Sequence, residues 1–362
     1  MRRLAATHAK PGMVLAKDVV DSRGYALLPA GALLDEDSLT TLLIHRVWEI
    51  SVEDPRVSDV GVQPLFPPEL EAKAADDLLQ LLQESPPGGA IEEVLLDEVR
   101  NSVYALGRAL FPTPFWGLGD PNVSGCLSID DYKHVQPIKT AGLSILLSKM
   151  EGLGIAEAVD IGIAAALKDV GYILWPEAAT DRHEPLYGLE SVEIQQHTLQ
   201  GAKFLGQYGQ VGPEVAEAIL QHHEHWDGSG FPDGLKGEDV RLGARTIGLT
   251  DTYYQLVSPR PHRPAFMPHE AAEYIMGCRG ELFDPQIMQL FARGIPLFPA
   301  GVAVQLNTGE QAIVSRSNSG HVGRPIVRIC ANKAGKAIAS PYDIDLSEPE
   351  YQGVMIGQVL EY

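Results

Sequence analysis

Through the middle of the chain apolar residues recur every three to four positions, the spacing of helices with one buried face. ILLSKM, AVDIGIAAAL, EIQQHTLQGAKFL, PEVAEAILQHH, ARTIGLTDTYYQL and HEAAEYIM all carry it between Ser128 and about Phe291. Pro213 stands at the first turn of one of these segments, where its missing N–H costs nothing. Before this region the pattern differs. VLAKDVV (14–20) and YALLPAG (25–31) read as strands around the turn DSRG, DEDSLTTLL (35–43) as a helix with acidic residues in its first turn, and VWEISVE alternates. The proline-rich VQPLFPPEL breaks that pattern, and two amphipathic segments, 68–83 and 90–110, flank SPPGG. After Pro296, VAVQL, the turn NTG, EQAIVSR and RPIVRIC predict strands. The expectation is a mainly α protein in four parts. A small N-terminal α/β module covers 1–56, linker and connector helices 57–127, a helical domain 128–296, and a small β-rich domain 297–362.

Composition narrows the classes of function. The 362 residues are 45% hydrophobic and 21% charged, as in globular proteins, and the formal net charge is −20. A surface this acidic repels polyanions, which argues against a nucleic-acid polymer or an anionic membrane as partner. A small phosphorylated ligand stays open if metals or a few Arg and Lys gather locally. No apolar run reaches the ~18–20 residues that cross a bilayer, and the start, MRRLAATHAKPG, has too short an apolar segment for a signal peptide. Cys126, Cys278 and Cys330 are scattered without CxxC spacing, so the expectation is a reduced, cytoplasmic protein with no disulfide framework.

The candidate chemistry lies in polar groups on apolar helix faces. His222 and His223 end an apolar stripe and can present two imidazoles to one cavity, an arrangement that suits a divalent metal; they also suit a half-exposed helix end. His197 lies among Ile194, Ala202 and Leu205 as a ligand or as a satisfied core histidine. Asp251 shares a face with Ile247 and Tyr254, where a carboxylate needs a cation or hydrogen bonds. Asp169 reads as lying in the last turn of its helix, where the dipole disfavours an anion. Lys168 precedes it but points about 100° away on a regular helix, so it need not be the partner.

QHHEHWDGSGFPDGLKGEDVRLGARTIGLTDTYYQLVSPRPHR closely resembles the HD-GYP domain, a helical metal-dependent phosphodiesterase family of the HD superfamily that hydrolyses cyclic di-GMP. The resemblance covers about Ser128 to Phe291 and rests chiefly on the HHExxDGxGxP core. It implies an HD-superfamily helical bundle with two, sometimes three, metals. Its ligand order places the double histidine at His222 and His223, the lone histidine at His197, the late aspartate at Asp251 and the His-Asp aspartate at Asp169. Three positions depart from the family: the opening histidine is Gln136, the histidine of the pair is Lys168, and the phosphate-contacting lysine is Tyr172. Gly230-Phe231-Pro232 stands for glycine-tyrosine-proline. Arg260 and Arg263 keep the family's basic loop, which meets ligand phosphates, or they are solvated surface arginines.

The resemblance therefore implies one intact metal site of Asp169, His197, His222 and His223, and one that has lost two imidazoles. Lys168 either turns inward as a stand-in for a metal, paired with Asp169 and Asp251, or runs out to solvent. The implied cofactor is one divalent transition metal per chain (Fe, Mn, Ni or Zn). The implied partners are cyclic di-GMP or a related cyclic dinucleotide and GGDEF-domain proteins, with homodimerisation open. Three functions follow: a degenerate binding or regulatory module, a slow phosphodiesterase, and a protein-interaction module with a vestigial pocket.

Overall fold

A computed structural model describes residues 1–21, 25–61, 64–85, 91–112, 132–174, 192–207, 211–259, 265–318 and 320–360. The chain divides into two compact units, one formed by its two ends and one by its middle.

In the first unit, β1 (Arg2–Ala5) pairs antiparallel with β4 (Glu49–Val52), and β2 (Val19–Val20) with β3 (Ala26–Leu28). Helix α1 (Glu36–Ile44) starts where Asp35 accepts the Ser38 N–H at 2.8 Å, a side-chain N-cap. Leu4, Leu15, Leu34, Leu42, Ile50 and Val52 form the core beneath. The two strands expected over 14–20 and 25–31 shrink to two and three residues, because isolated bridges Val14–Leu33 and Leu15–Val52 take the backbone elsewhere. At the other end of the chain a five-stranded antiparallel sheet has the order β8-β7-β6-β5-β9. Its strands are β5 (Ala303–Leu306), β6 (Gln311–Arg316), β7 (Ile326–Ala331), β8 (Ala337–Asp345) and β9 (Ile356–Leu360). The N-terminal strand joins this part through the Arg3 N–H, which donates to the Gly301 carbonyl at 2.9 Å.

The second unit is helical. It comprises α2 (Pro68–Glu84), α3 (Glu93–Leu110), α4 (Tyr132–Met150), α5 (Ile155–Leu167), α6 (Val192–Gln207), α7 (Pro213–Gln221), α8 (Leu242–Val257), α9 (Pro268–Gly277) and α10 (Pro285–Gly294). The two segments read as connector helices are α2 and α3, and they pack on α4 and α5 as part of this unit. Helix α5 is central: Ala158, Val159 and the run Gly162 to Leu167 are all buried, so small side chains let its neighbours close in. Among the described residues no helix is long and apolar enough to cross a membrane.

Candidate metal centre

The end of α5 sets the site. Its α-helix stops at Leu167, one turn before the sequence pattern placed it, so Lys168 and Asp169 lie just beyond the end. A short 3-10 turn, Val170–Leu174, follows. Gly171 makes that turn possible: a Cβ there would lie 2.1 Å from the His197 carbonyl oxygen, so only glycine lets the turn lie against α6. Lys168 keeps helical backbone angles, φ −54° and ψ −34°, and its long side chain nonetheless reaches its sequence neighbour. The Lys168 ammonium meets both the Asp169 carboxylate and Asp251 Oδ1, the latter at 3.0 Å. Lys168 is 2% exposed, so its ammonium faces inward. Burial opposes its charge, yet the two carboxylates outweigh that and raise its pKa above the usual lysine value. Asp169, beside this ammonium, is held at about 2 despite its own desolvation.

Gln136 on α4 and Asp251 on α8 complete this half. Gln136 Nε2 donates to Asp251 Oδ1 at 3.1 Å, and Gln255 Nε2 donates to Asp251 Oδ2 at 2.7 Å. The buried carboxylate on an apolar face thus has both a cation and amide donors. Gln255 was missed in the sequence, although four residues after Asp251 is the spacing at which helical side chains meet.

The other half holds the imidazoles. His197 comes from α6, and His222 and His223 from the end of α7. One ring nitrogen from each lies within 4.8 Å of those of the other two. His197 Nε2 is 3.5 Å from His222 Nε2, and Asp169 Oδ1 is 3.7 Å and 4.0 Å from those two nitrogens. His222 Nδ1 lies 2.7 Å from the Ile219 carbonyl and donates to it, which leaves Nε2 with a lone pair aimed at the cluster. Burial, with the neighbouring imidazoles adding to it, lowers the His222 pKa to about 3 and that of His223 well below the ordinary value. Both are neutral at physiological pH, the form that ligates metal.

Aromatic rings lie on two of the three imidazoles. Tyr172 stacks on His197 with centroids 4.4 Å apart and planes 14° apart; Phe231 stacks on His223 at 4.7 Å and 20°. The loop bearing Gly230, Phe231 and Pro232 is held by Glu224, whose two oxygens accept the N–H groups of Asp233 and Leu235 at 2.7 and 2.9 Å. Neither this clamp nor the stacking of Tyr172 was read from the sequence. A cleft of about 260 Å³ opens beside His222 and His223, walled also by Trp226, Phe231, Arg245 and Asp251. Arg260 and Arg263 lie outside the described residues.

The two halves differ in what they can hold. Three imidazoles and one carboxylate are a donor set for a divalent transition metal. Gln136, Lys168 and Asp251 are not, because an ammonium has no lone pair to give.

Known proteins resemble this chain in sequence, most of all through its helical unit. A family profile described as HD domain matches residues 136–287. Cyclic di-GMP phosphodiesterase PA4108 of Pseudomonas aeruginosa is 26% identical over 79% of this chain and 67% of its own length. The cyclic di-GMP phosphodiesterase response regulator RpfG of Xanthomonas campestris is 32% identical over 66% of this chain and 62% of its own. The helical unit thus carries the match to the HD domain. A further match is the 3'3'-cGAMP-specific phosphodiesterase 2 of Vibrio cholerae, 30% identical over 40% of this chain and 28% of its own length. This chain thus spans less than two thirds of the length of two of these three relatives. Among solved structures, Bd1817, a HDG"Y"P protein from Bdellovibrio bacteriovorus, matches 80% of this chain and 97% of its own at 13% identity, with a TM-score of 0.47. The mainly α architecture with small flanking strand-rich parts is as the sequence pattern predicted.

Proposed function

We propose that this HD-GYP chain is a binding and regulatory module in cyclic di-GMP signalling. It recognises cyclic di-GMP or a related cyclic dinucleotide at a centre for one metal, and phosphodiester hydrolysis is lost or strongly reduced. The observation that carries this reading is the inward Lys168, paired with Asp169 and Asp251 where the family resemblance places a metal-binding imidazole.

His197, His222, His223 and Asp169 would hold the one metal, of the Fe, Mn, Ni or Zn class. When bound, that ion supplies a Lewis-acid contact for a phosphate oxygen. The chain's own residues do the rest. Asp169 and Asp251 hold the Lys168 ammonium, Gln136 and Gln255 keep Asp251 in place, and the Phe231 loop walls the cleft. Two divalent ions beside two carboxylates bring four positive charges against two negative ones. One divalent ion and an ammonium bring three. Hydrolysis in a two-metal site draws on both ions to stabilise attacking and leaving oxygens, and losing one electrostatic donor of this kind costs ~10²–10³ in rate. Tyr172, standing where the family has a phosphate-contacting lysine, removes a second support. Ground-state recognition of a phosphate needs less, so binding survives where turnover does not.

Support for the ligand class comes from the relatives, named as phosphodiesterases of cyclic di-GMP and of 3'3'-cGAMP. GGDEF-domain proteins, which make cyclic di-GMP, are the partners this reading brings with it. The test is calorimetry and product chromatography on one metal-loaded sample with cyclic di-GMP. Saturable binding without linear product is expected. Formation of pGpG or GMP at ordinary enzymatic rates overturns the loss of activity. An absence of binding at high micromolar ligand leaves the interaction-module reading instead.

A further inference from the structure

Each histidine of the cluster has a group lying against it, a carbonyl for one and an aromatic ring for the other two. His222 is held through a ring nitrogen, by the Ile219 carbonyl. His197 and His223 are each covered by an aromatic face, of Tyr172 and Phe231. A ring lying flat on an imidazole fixes its plane while leaving the in-plane lone pairs untouched. It also keeps water off that face, so the nitrogen stays aimed into the cluster.

The two aromatic residues are anchored in the same way. The Tyr172 N–H donates to the Asp169 carbonyl at 3.0 Å, and the Phe231 N–H donates to the His223 carbonyl at 3.2 Å. Each ring is therefore tied through the backbone to a residue of the cluster. Glycine permits both approaches: Gly171 beside the His197 carbonyl, and Gly230, where a Cβ would lie 2.3 Å from the His225 nitrogen. The Glu224 clamp then fixes the far end of the Phe231 loop.

We infer that Tyr172 and Phe231 are positioning residues of the three-histidine centre, which hold His197 and His223 in the orientation that one divalent transition metal requires. This rests on reading the histidines as a metal centre, and it adds that the centre is rebuilt rather than decayed. Where the family resemblance expects a lysine that reaches phosphate, this chain has a neutral ring that supports a ligand.

The test uses Co(II) as probe, on the full chain stripped of metal, with a chromophoric chelator as competitor. Tyr172→Leu and Phe231→Leu keep apolar bulk and remove the aromatic face. Each is expected to weaken Co(II) binding about 10–100-fold, the range found when groups behind metal ligands are removed. Tyr172→Phe and Phe231→Tyr keep the face and keep wild-type affinity. The Co(II) visible spectrum changes in the leucine variants while the melting temperature of the metal-free forms stays near wild type, a split that a merely structural role does not produce. Leucine variants that bind as tightly as wild type overturn the inference. If they do not fold, the metal-free wild type decides: stacking places the His197 and His223 ring protons upfield, and positions typical of an unstructured histidine overturn it. A folded wild type that binds no Co(II) fails differently, because it removes the metal centre itself.

Discussion

On one side of Asp169 stand three imidazoles; on the other stands an ammonium flanked by a second carboxylate and two amides. Both halves are built from helix ends and helix faces of the same unit, and each has buried side chains, His197 and His222 in one and Gln136, Lys168 and Asp251 in the other. The imidazole half gathers one ring nitrogen from each of three histidines within 4.8 Å of the others, a set able to take a cation supplied from outside. In the lysine half the cation is part of the chain, and its neighbours are satisfied without any added ion. Burial alone therefore does not make a metal site. What matters is whether the buried groups leave an acceptor set open or close it among themselves.

The comparison is broken most forcefully at Lys168. Its side chain and that of Asp251 are 3% and 5% exposed, and removing one partner of a buried pair costs about 3–5 kcal/mol. Lys168→Met is therefore expected to lower stability by that order in denaturant melts of the metal-free protein, and adding Asp251→Asn recovers part of it. Equal melts for wild type and Lys168→Met place the ammonium outside the site. The imidazole half answers next. At one hundred times its dissociation constant a metal stabilises the fold by about 2.7 kcal/mol, and His197→Ala is expected to abolish that gain while leaving the lysine half intact. Thermal melts with and without metal check it.

Glu71 sharpens the contrast as a buried carboxylate with no such partner. It is 4% exposed on α2, and neither oxygen has a hydrogen-bond partner among the described residues. Burial raises its pKa to about 7, with Lys139 only partly offsetting that. The sign follows from the raised value. Between the unfolded value of 4.5 and about 7 the folded protein keeps a proton that the unfolded chain has released. Stability from this group is therefore full below the unfolded value and falls as pH rises, flattening above the folded one. Glu71→Met is expected to gain on wild type by about 2 kcal/mol between pH 5 and pH 8. A gap that does not widen with pH shows that Glu71 finds a partner. The smallest effect is at Gln136, where Gln136→Ala removes one hydrogen bond to Asp251 and costs about 1–2 kcal/mol, read in the same melts.

The helices were legible because each buries one stripe, and three- to four-residue spacing records that directly. The strands at the chain ends were less so. β1 is four residues, RRLA, and makes sense only against β4, nearly fifty positions later. β8 is exposed along most of its length and contains Pro341, so it shows no alternation to read. In the site, the identities of His197, His222, His223, Asp169 and Asp251 were readable from motif order, as was the oddness of Gln136, Lys168 and Tyr172. Their geometry was not. Whether Lys168 and Asp169 touch depends on where the lysine side chain turns, toward Asp251 on another helix, and the approach of Gly171 to a carbonyl depends on another helix as well. The Tyr172 and Phe231 stacks likewise join residues far apart in sequence.

The account stands or falls on how many metal ions this chain holds. Reconstitution with excess Fe(II), Mn(II) or Zn(II), desalting and elemental analysis per folded chain measures it directly. One ion per chain is predicted for the wild type, rising to two in Gln136→His/Lys168→His, where the missing imidazoles return. Two ions in the wild type would contradict the account, since the place given to Lys168 would then be open to metal.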